Sequence, residues 1–233
     1  MPLPTIAVPK YPVTIPSTKK NTFFRPFLMK EQKILFMALE SEDPNQVLKA
    51  MCDIIKVCVD KVENPESMPL FDVEFLFTKI RSKSVGEQIE VKIKCPKCEN
   101  KTEMSIDLDG VEVKFPENIS NKIMLNDKMG VVLRYPSLKD ATMNFDQMTA
   151  DAIIRFVCDS VDSVFDEDAV YTRKDFTDEE IMNFMESLNG QQFEQIASFF
   201  KNLPQMTKTI ECKCMKCSND FTVDFRGLND FFT

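Results

Sequence analysis

Two short stretches of the chain hold cysteines at the same spacing. "KIKCPKCENKTEMSIDL", residues 92–108, contains Cys95 and Cys98, and "ECKCMKCSNDFTVDF", residues 211–225, contains Cys214 and Cys217 with Cys212 beside them. A shift of 119 positions lays Cys95 on Cys214 and Cys98 on Cys217, so the chain repeats itself. Two residues between cysteines at a tight turn let both thiolates face one ion, and two such knuckles complete a tetrahedral zinc shell with sulfur at about 2.3 Å from the metal. Lys94 and Lys97 flank the first pair and Lys213 and Lys216 the second, where their charge favours the thiolate. The expectation is one zinc per chain on Cys95, Cys98, Cys214 and Cys217. Protein would fill all four positions and leave none for water or substrate, which marks a structural rather than a catalytic site.

Two other readings of the pairs stay open. A redox CxxC normally opens a helix in a thioredoxin-like unit, whereas these pairs sit between alternating strands. The cysteines could also be reduced, apolar and metal-free, as is expected of Cys52, Cys58 and Cys158. Cys212 aligns with Ile93 and is expected on the buried face of its strand, the alternative being that it replaces a neighbour as ligand. Compact zinc ribbons separate their pairs by about 15 to 20 residues. Here 115 lie between Cys98 and Cys214, so the site forms only if the first and last hairpins pack together.

The elements that must position the knuckles follow from periodicity. Ile89, Val91 and Ile93 alternate with charged residues before the first pair, and Met104, Ile106 and Leu108 alternate after it. Residues 88–108 and 206–225 therefore read as hairpins tipped by the CxxC turns. Val111, Val113 and Phe115 continue the alternation, and a further strand pair is expected around "KIML" and "GVVLRY". Helices are expected over "FLMKEQKILFMALES", "DPNQVLKAMCDIIKVCVDKV" and "FDVEFLFTKIRSKSVGE"; Asp43 and Pro44 suit the start of the second. Residues 137–203 read as mainly helical, with "SLKDATMNFDQM", "TADAIIRFVCDSVDSVF", "TDEEIMNFMESLNG" closing at Gly190, and "QQFEQIASFFKNLP". Residues 1–22 carry five prolines and read as an extended arm, either a disordered tail or a segment that orders on a partner. The expectation is an α+β fold: a single domain over 23–233, in which a helical body brings two CxxC-tipped hairpins together as a zinc-ribbon-like module.

Composition narrows function. A net charge of −8 disfavours binding to a phosphate backbone. The absence of histidine removes Ser-His-Asp and Cys-His catalysis and every histidine-ligated metal site. Five glycines build no phosphate-binding loop. No apolar run approaches the ~18 residues that cross a bilayer, and the start lacks a signal peptide pattern, so the expected compartment is the cytosol. The acidic "FDEDAV" at 165–170 lacks calcium-loop spacing and reads as a solvated loop.

Several blocks taken together, "FFRPFLMKEQKILFMALES", "FDVEFLFTKIRSKSVGE", "CPKC", "CMKC" and the ending "FRGLNDFF", resemble the baseplate hub assembly protein family of T-even-type contractile-tailed bacteriophages. They run in order through most of the chain, while residues 111–175 carry none of the resemblance. It implies a non-enzymatic late protein of tail morphogenesis that binds phage hub or tape-measure proteins in the host cytoplasm and takes no nucleic acid, membrane or small-molecule substrate. A structural baseplate subunit retained in the mature virion is the second reading it leaves open. The proline arm and the final "FFT" are candidate contacts, or mere tail and packing.

Overall fold

The computed structural model describes residues 6–117, 120–141 and 149–232. The architecture is α+β, and the chain separates into two compact units: residues 1–114 with 205–233, and residues 115–204.

The first unit begins with a hairpin, β1 (Tyr11–Thr14) and β2 (Asn21–Phe24), inside the segment expected as an arm. Pro12 fits there because β1 pairs with one neighbour only, so not all its backbone groups are needed for a ladder. Backbone bonds fix the hairpin to the body: Arg25 N–H to Cys58 O and Asp60 N–H to Phe23 O, both 2.9 Å. Ser17 donates from its N–H (3.0 Å) and its hydroxyl to the fully buried Asp72. Residues 1–5 of the expected arm lie outside the described residues.

Helices α1 (Met29–Glu40), α2 (Pro44–Cys58) and α3 (Leu70–Val85) follow. Asp43 caps α2, accepting from Asn45 N–H at 2.9 Å, and Pro44 occupies its first position, where a missing N–H is harmless. Met51, Ile54 and Ile55 of α2 and Val73, Leu76 and Ile80 of α3 are buried. Gly86, at φ 149°, ends α3 in a conformation that suits glycine and leads into the antiparallel pair β3 (Gln88–Lys94) and β4 (Lys101–Asp107). β5 (Glu112–Lys114) closes this part of the chain.

The second unit carries β6 (Lys122–Met124), β7 (Gly130–Leu133), the short α4 (Leu138–Ala141), α5 (Ala150–Asp159), β8 (Val161–Phe165), β9 (Val170–Thr172), α6 (Asp178–Glu186) and α7 (Gly190–Lys201). Its sheet is an antiparallel meander in the order β6-β7-β8-β9. Val131, Leu133, Val157, Val161, Ile181, Ile196 and Phe199 form its core. The chain then returns to the first unit through β10 (Gln205–Lys213), β11 (Asp220–Arg226) and α8 (Gly227–Phe232).

Two features of the second unit differ from the sequence expectation. The helix expected through Phe165 stops at Asp159, because Ser160 donates its N–H to Phe156 and Val157 carbonyls and its hydroxyl to Phe156 O at 2.8 Å. Val161–Phe165 then pairs on both sides as β8, a long-range gain that local periodicity does not register. Gly190 opens α7 rather than closing α6: Asn189 accepts from Gln192 N–H while Gln192 accepts from Asn189 N–H, both at 3.0 Å. The acidic "FDEDAV", expected as a loop, does form the β8–β9 turn, in which Asp166 accepts from the N–H groups of Asp168 (2.9 Å) and Ala169 (2.8 Å). Of "SLKDATMNFDQM", residues 142–148 lie outside the described residues. No helix of the described residues is long and apolar enough to cross a membrane.

Candidate metal centre

β3 and β4 end in one knuckle, β10 and β11 in the other, and the two turns are built alike. Cys95 N–H donates to Asn100 O at 3.0 Å and Glu99 N–H to Cys95 O at 2.9 Å; Cys214 N–H donates to Asn219 O and Ser218 N–H to Cys214 O, both at 2.9 Å. Glu99 (φ 56°) and Ser218 (φ 54°) sit in the left-handed region at equivalent positions. The 119-residue repeat of the sequence is thus a repeat of backbone conformation, and each turn holds its two sulfurs on one side.

Both hairpins bury the same alternating faces in one core: Ile89, Ile93, Ile106, Leu108, Val111, Met206, Cys212 and Phe225. β10 pairs on its other edge with β5, in the register Gln205↔Lys114 to Thr207↔Glu112. Met206 is fully buried in this core, and Thr78 of α3 donates its hydroxyl to the Met206 sulfur at 3.4 Å. Helix α3 and the strands are thereby fixed to one another beneath the knuckles.

The four sulfurs of Cys95, Cys98, Cys214 and Cys217 lie within 4.8 Å of one another and could hold a metal ion. Each first cysteine faces the second cysteine of the opposite knuckle, Cys95 to Cys217 at 3.7 Å and Cys98 to Cys214 at 3.5 Å. A disulfide would need about 2.05 Å. A tetrahedral zinc with sulfur at about 2.3 Å has edges of about 3.8 Å, so the donor set fits the ion in number, type and spacing. Cys95 and Cys214 are each 1% exposed, while Cys98 and Cys217 are partly open.

The local field favours a thiolate unevenly. The Cys214 thiol is pulled down to about 6, first by the Cys217 N–H, then by the Lys216 N–H and the thiols of Cys98 and Cys217, against burial. The Cys217 thiol is pushed up to about 12: the Asn219 N–H lowers it, but burial and the thiols of Cys98, Cys214 and Cys95 together outweigh that pull. One charge in the cluster thus makes the next costly, which is what a divalent cation would relieve. Lys94, Lys97, Lys213 and Lys216 are exposed around it.

The other cysteines sit apart from the cluster. Cys212 is buried in the hairpin core, where burial pushes its thiol up. Burial likewise pushes the thiols of Cys52 and Cys58 up to about 11, and raises that of Cys158. Among the described residues the four knuckle cysteines are the one group of three or more Cys, Asp or Glu arranged to hold a metal. Of the final "FFT", Thr233 and the side chains of Phe231 and Phe232 lie outside what the structure describes.

The chain matches the family described as T4 bacteriophage base plate protein over residues 8–233. No curated protein and no solved structure matches it.

Proposed function

The chain belongs to the T4 bacteriophage base plate protein family, and on that premise we propose that it is a non-enzymatic protein of tail morphogenesis that acts in building the baseplate hub. The family match carries this reading, because it runs from residue 8 to the end and so takes in both compact units and both knuckles. The partners proposed are the phage's hub and tape-measure proteins, met in the host cytoplasm during tail assembly.

In this reading Cys95, Cys98, Cys214 and Cys217 hold one zinc ion per chain. Zinc bound there supplies a cross-link between two hairpins far apart in sequence and, with four protein ligands, no open position for chemistry. The knuckles then act as a staple beneath a binding surface. Affinity for a partner protein comes from that surface, through apolar anchors within a polar rim.

Co-expression with the phage's hub and tape-measure proteins, followed by tagged pull-down, should recover a complex. If no tail protein co-purifies, and phage lacking the gene still make complete infectious tails, the proposal fails. Quantitative mass spectrometry of purified virions beside infected-cell lysate separates a transient assembly factor, depleted in virions, from a subunit retained in the baseplate.

A further inference from the structure

Helix α1 lies on the first unit with its apolar side turned the wrong way. Its buried residues are Glu31 and Ala38, whereas Met29, Phe36, Met37 and Leu39 are open to solvent. The buried Glu31 accepts from Leu28 N–H at 2.7 Å and pairs with Arg25 at 3.0 Å, so the helix is anchored in this orientation by its N-terminus. Met29, Lys33, Phe36, Met37 and Glu40 share the outward face, at the spacing that normally faces a core. Beside it runs a groove of about 490 Å³ lined by Leu35, Phe36, Leu39, Phe77 and Val85 among others.

The charges on this face tell which occupant it suits. Lys33 stands near the start of α1 and Glu40 is its last residue, seven positions apart on one stripe. Neither has an ion-pair partner among the described residues. A glutamate at a helix C-terminus opposes the macrodipole, so its own helix gains nothing from it. An antiparallel copy of the same helix reverses this: about a two-fold axis midway between Phe36 and Met37, each Lys33 falls opposite the other copy's Glu40. The same operation sets the two Phe36–Met37 steps against each other, with opposed helix dipoles. A self-complementary arrangement of this kind is what an isologous contact requires.

The area is of the right order. With roughly 150–200 Å² for a fully exposed apolar side chain of this size, the exposures of Met29 (73%), Phe36 (51%) and Met37 (61%) leave on the order of 300 Å² of apolar surface open on this face, and Leu39 (53%) and Val85 (60%) in the adjoining groove bring the patch to on the order of 500 Å². That is more than half of the ~800 Å² each partner gives to a stable interface, before any polar rim is counted. We propose that the outward face of α1 is a docking surface for a second copy of this chain, packed antiparallel with paired Lys33–Glu40 contacts.

Sedimentation of the full-length protein over a wide concentration range, with and without added salt, tests this. The wild type should dimerise, and Lys33→Glu or Glu40→Lys alone should weaken the dimer by at least about tenfold, since each sets like charges opposite one another. The two single variants mixed together should recover affinity, because each then meets its opposite, and so should the double variant Lys33→Glu, Glu40→Lys. Unchanged circular dichroism of each variant shows that folding is intact. A protein monomeric at every concentration, a dimer indifferent to the single reversals, or an α1 face that takes up a different baseplate protein instead would each overturn the proposal.

Discussion

Removing one knuckle ligand should unfasten one part of the molecule and leave another alone. In Cys214→Ser the lost sulfur is 1% exposed and lies 3.5 Å from that of Cys98, so the remaining three ligands cannot close a tetrahedral shell. An ion that binds only the folded chain stabilises it by about 2.7 kcal/mol when free metal stands at about 100 times its dissociation constant. For a unit of this size that is a rise of roughly 5–10 °C in melting temperature. Elemental analysis of wild type purified without added metal should find about one zinc per chain, and Cys214→Ser should find almost none. Hydrogen exchange after chelation should show lost protection in β3, β4, β10 and β11 and none in α6 or α7, because the site lies wholly in the first unit. A stoichiometry near zero in the wild type, a full equivalent retained by Cys214→Ser, or identical melting with and without metal would refute the four-cysteine site.

Met206→Ala should cost about 3–5 kcal/mol in urea unfolding, since it opens a cavity in the hairpin core and strands the buried hydroxyl of Thr78; Met206→Leu, which keeps the volume, should cost distinctly less. Asp140 is the buried anchor of Arg134 (2.7 Å) and of Ser137, whose N–H (2.7 Å) and hydroxyl (2.9 Å) it accepts. Burial pushes its carboxyl up, but Arg134 and Ser137 prevail and hold it below the usual carboxylate range. Its contribution is therefore complete above the unfolded value of about 3.9 and disappears as pH falls through the lower folded value. Asp140→Asn should accordingly cost about 1–2 kcal/mol near neutral pH, and the gap to wild type should narrow between about pH 5 and pH 2 in pH-dependent urea melts.

Local signals were the ones the sequence carried clearly. Asp43 before Pro44, and Thr177 three residues before Glu180, announce helix starts because capping is settled within one turn of chain; Thr177 does accept from Glu180 N–H at 3.2 Å. The knuckles were legible for the same reason: all the hydrogen bonds that shape them lie within six residues. What escaped depends on distant partners. Val157, Cys158, Val161 and Phe165 satisfy a helical period, and only β7 and β9 alongside make the last two residues a strand. The prolines of the N-terminal segment hid a hairpin whose stability comes from Asp60, Asp72 and the end of α2. The strand alternation through Val111, Val113 and Phe115 did mark β5, but not its partner, which begins only at Gln205.

That short pairing alters how the long gap between the knuckles should be understood. Lys114 and Gln205 are bonded neighbours in the first unit, so the chain leaves for the second unit and returns at almost the same point. Of the 115 residues between Cys98 and Cys214, 90 belong to the second unit, and only 25 form the path that joins the two turns. In an unfolded chain, bringing the turns together means closing the whole length. Once β5 has paired with β10, the excursion is closed off and only the shorter path remains to be closed, which lowers the loop-closure cost by about 1.4 kcal/mol. The order of events during synthesis favours this route, because residues 115–204 leave the ribosome before Cys214 does. The β5–β10 pairing thus acts as an internal clasp that shortens the search the two flanking hairpins must make for each other.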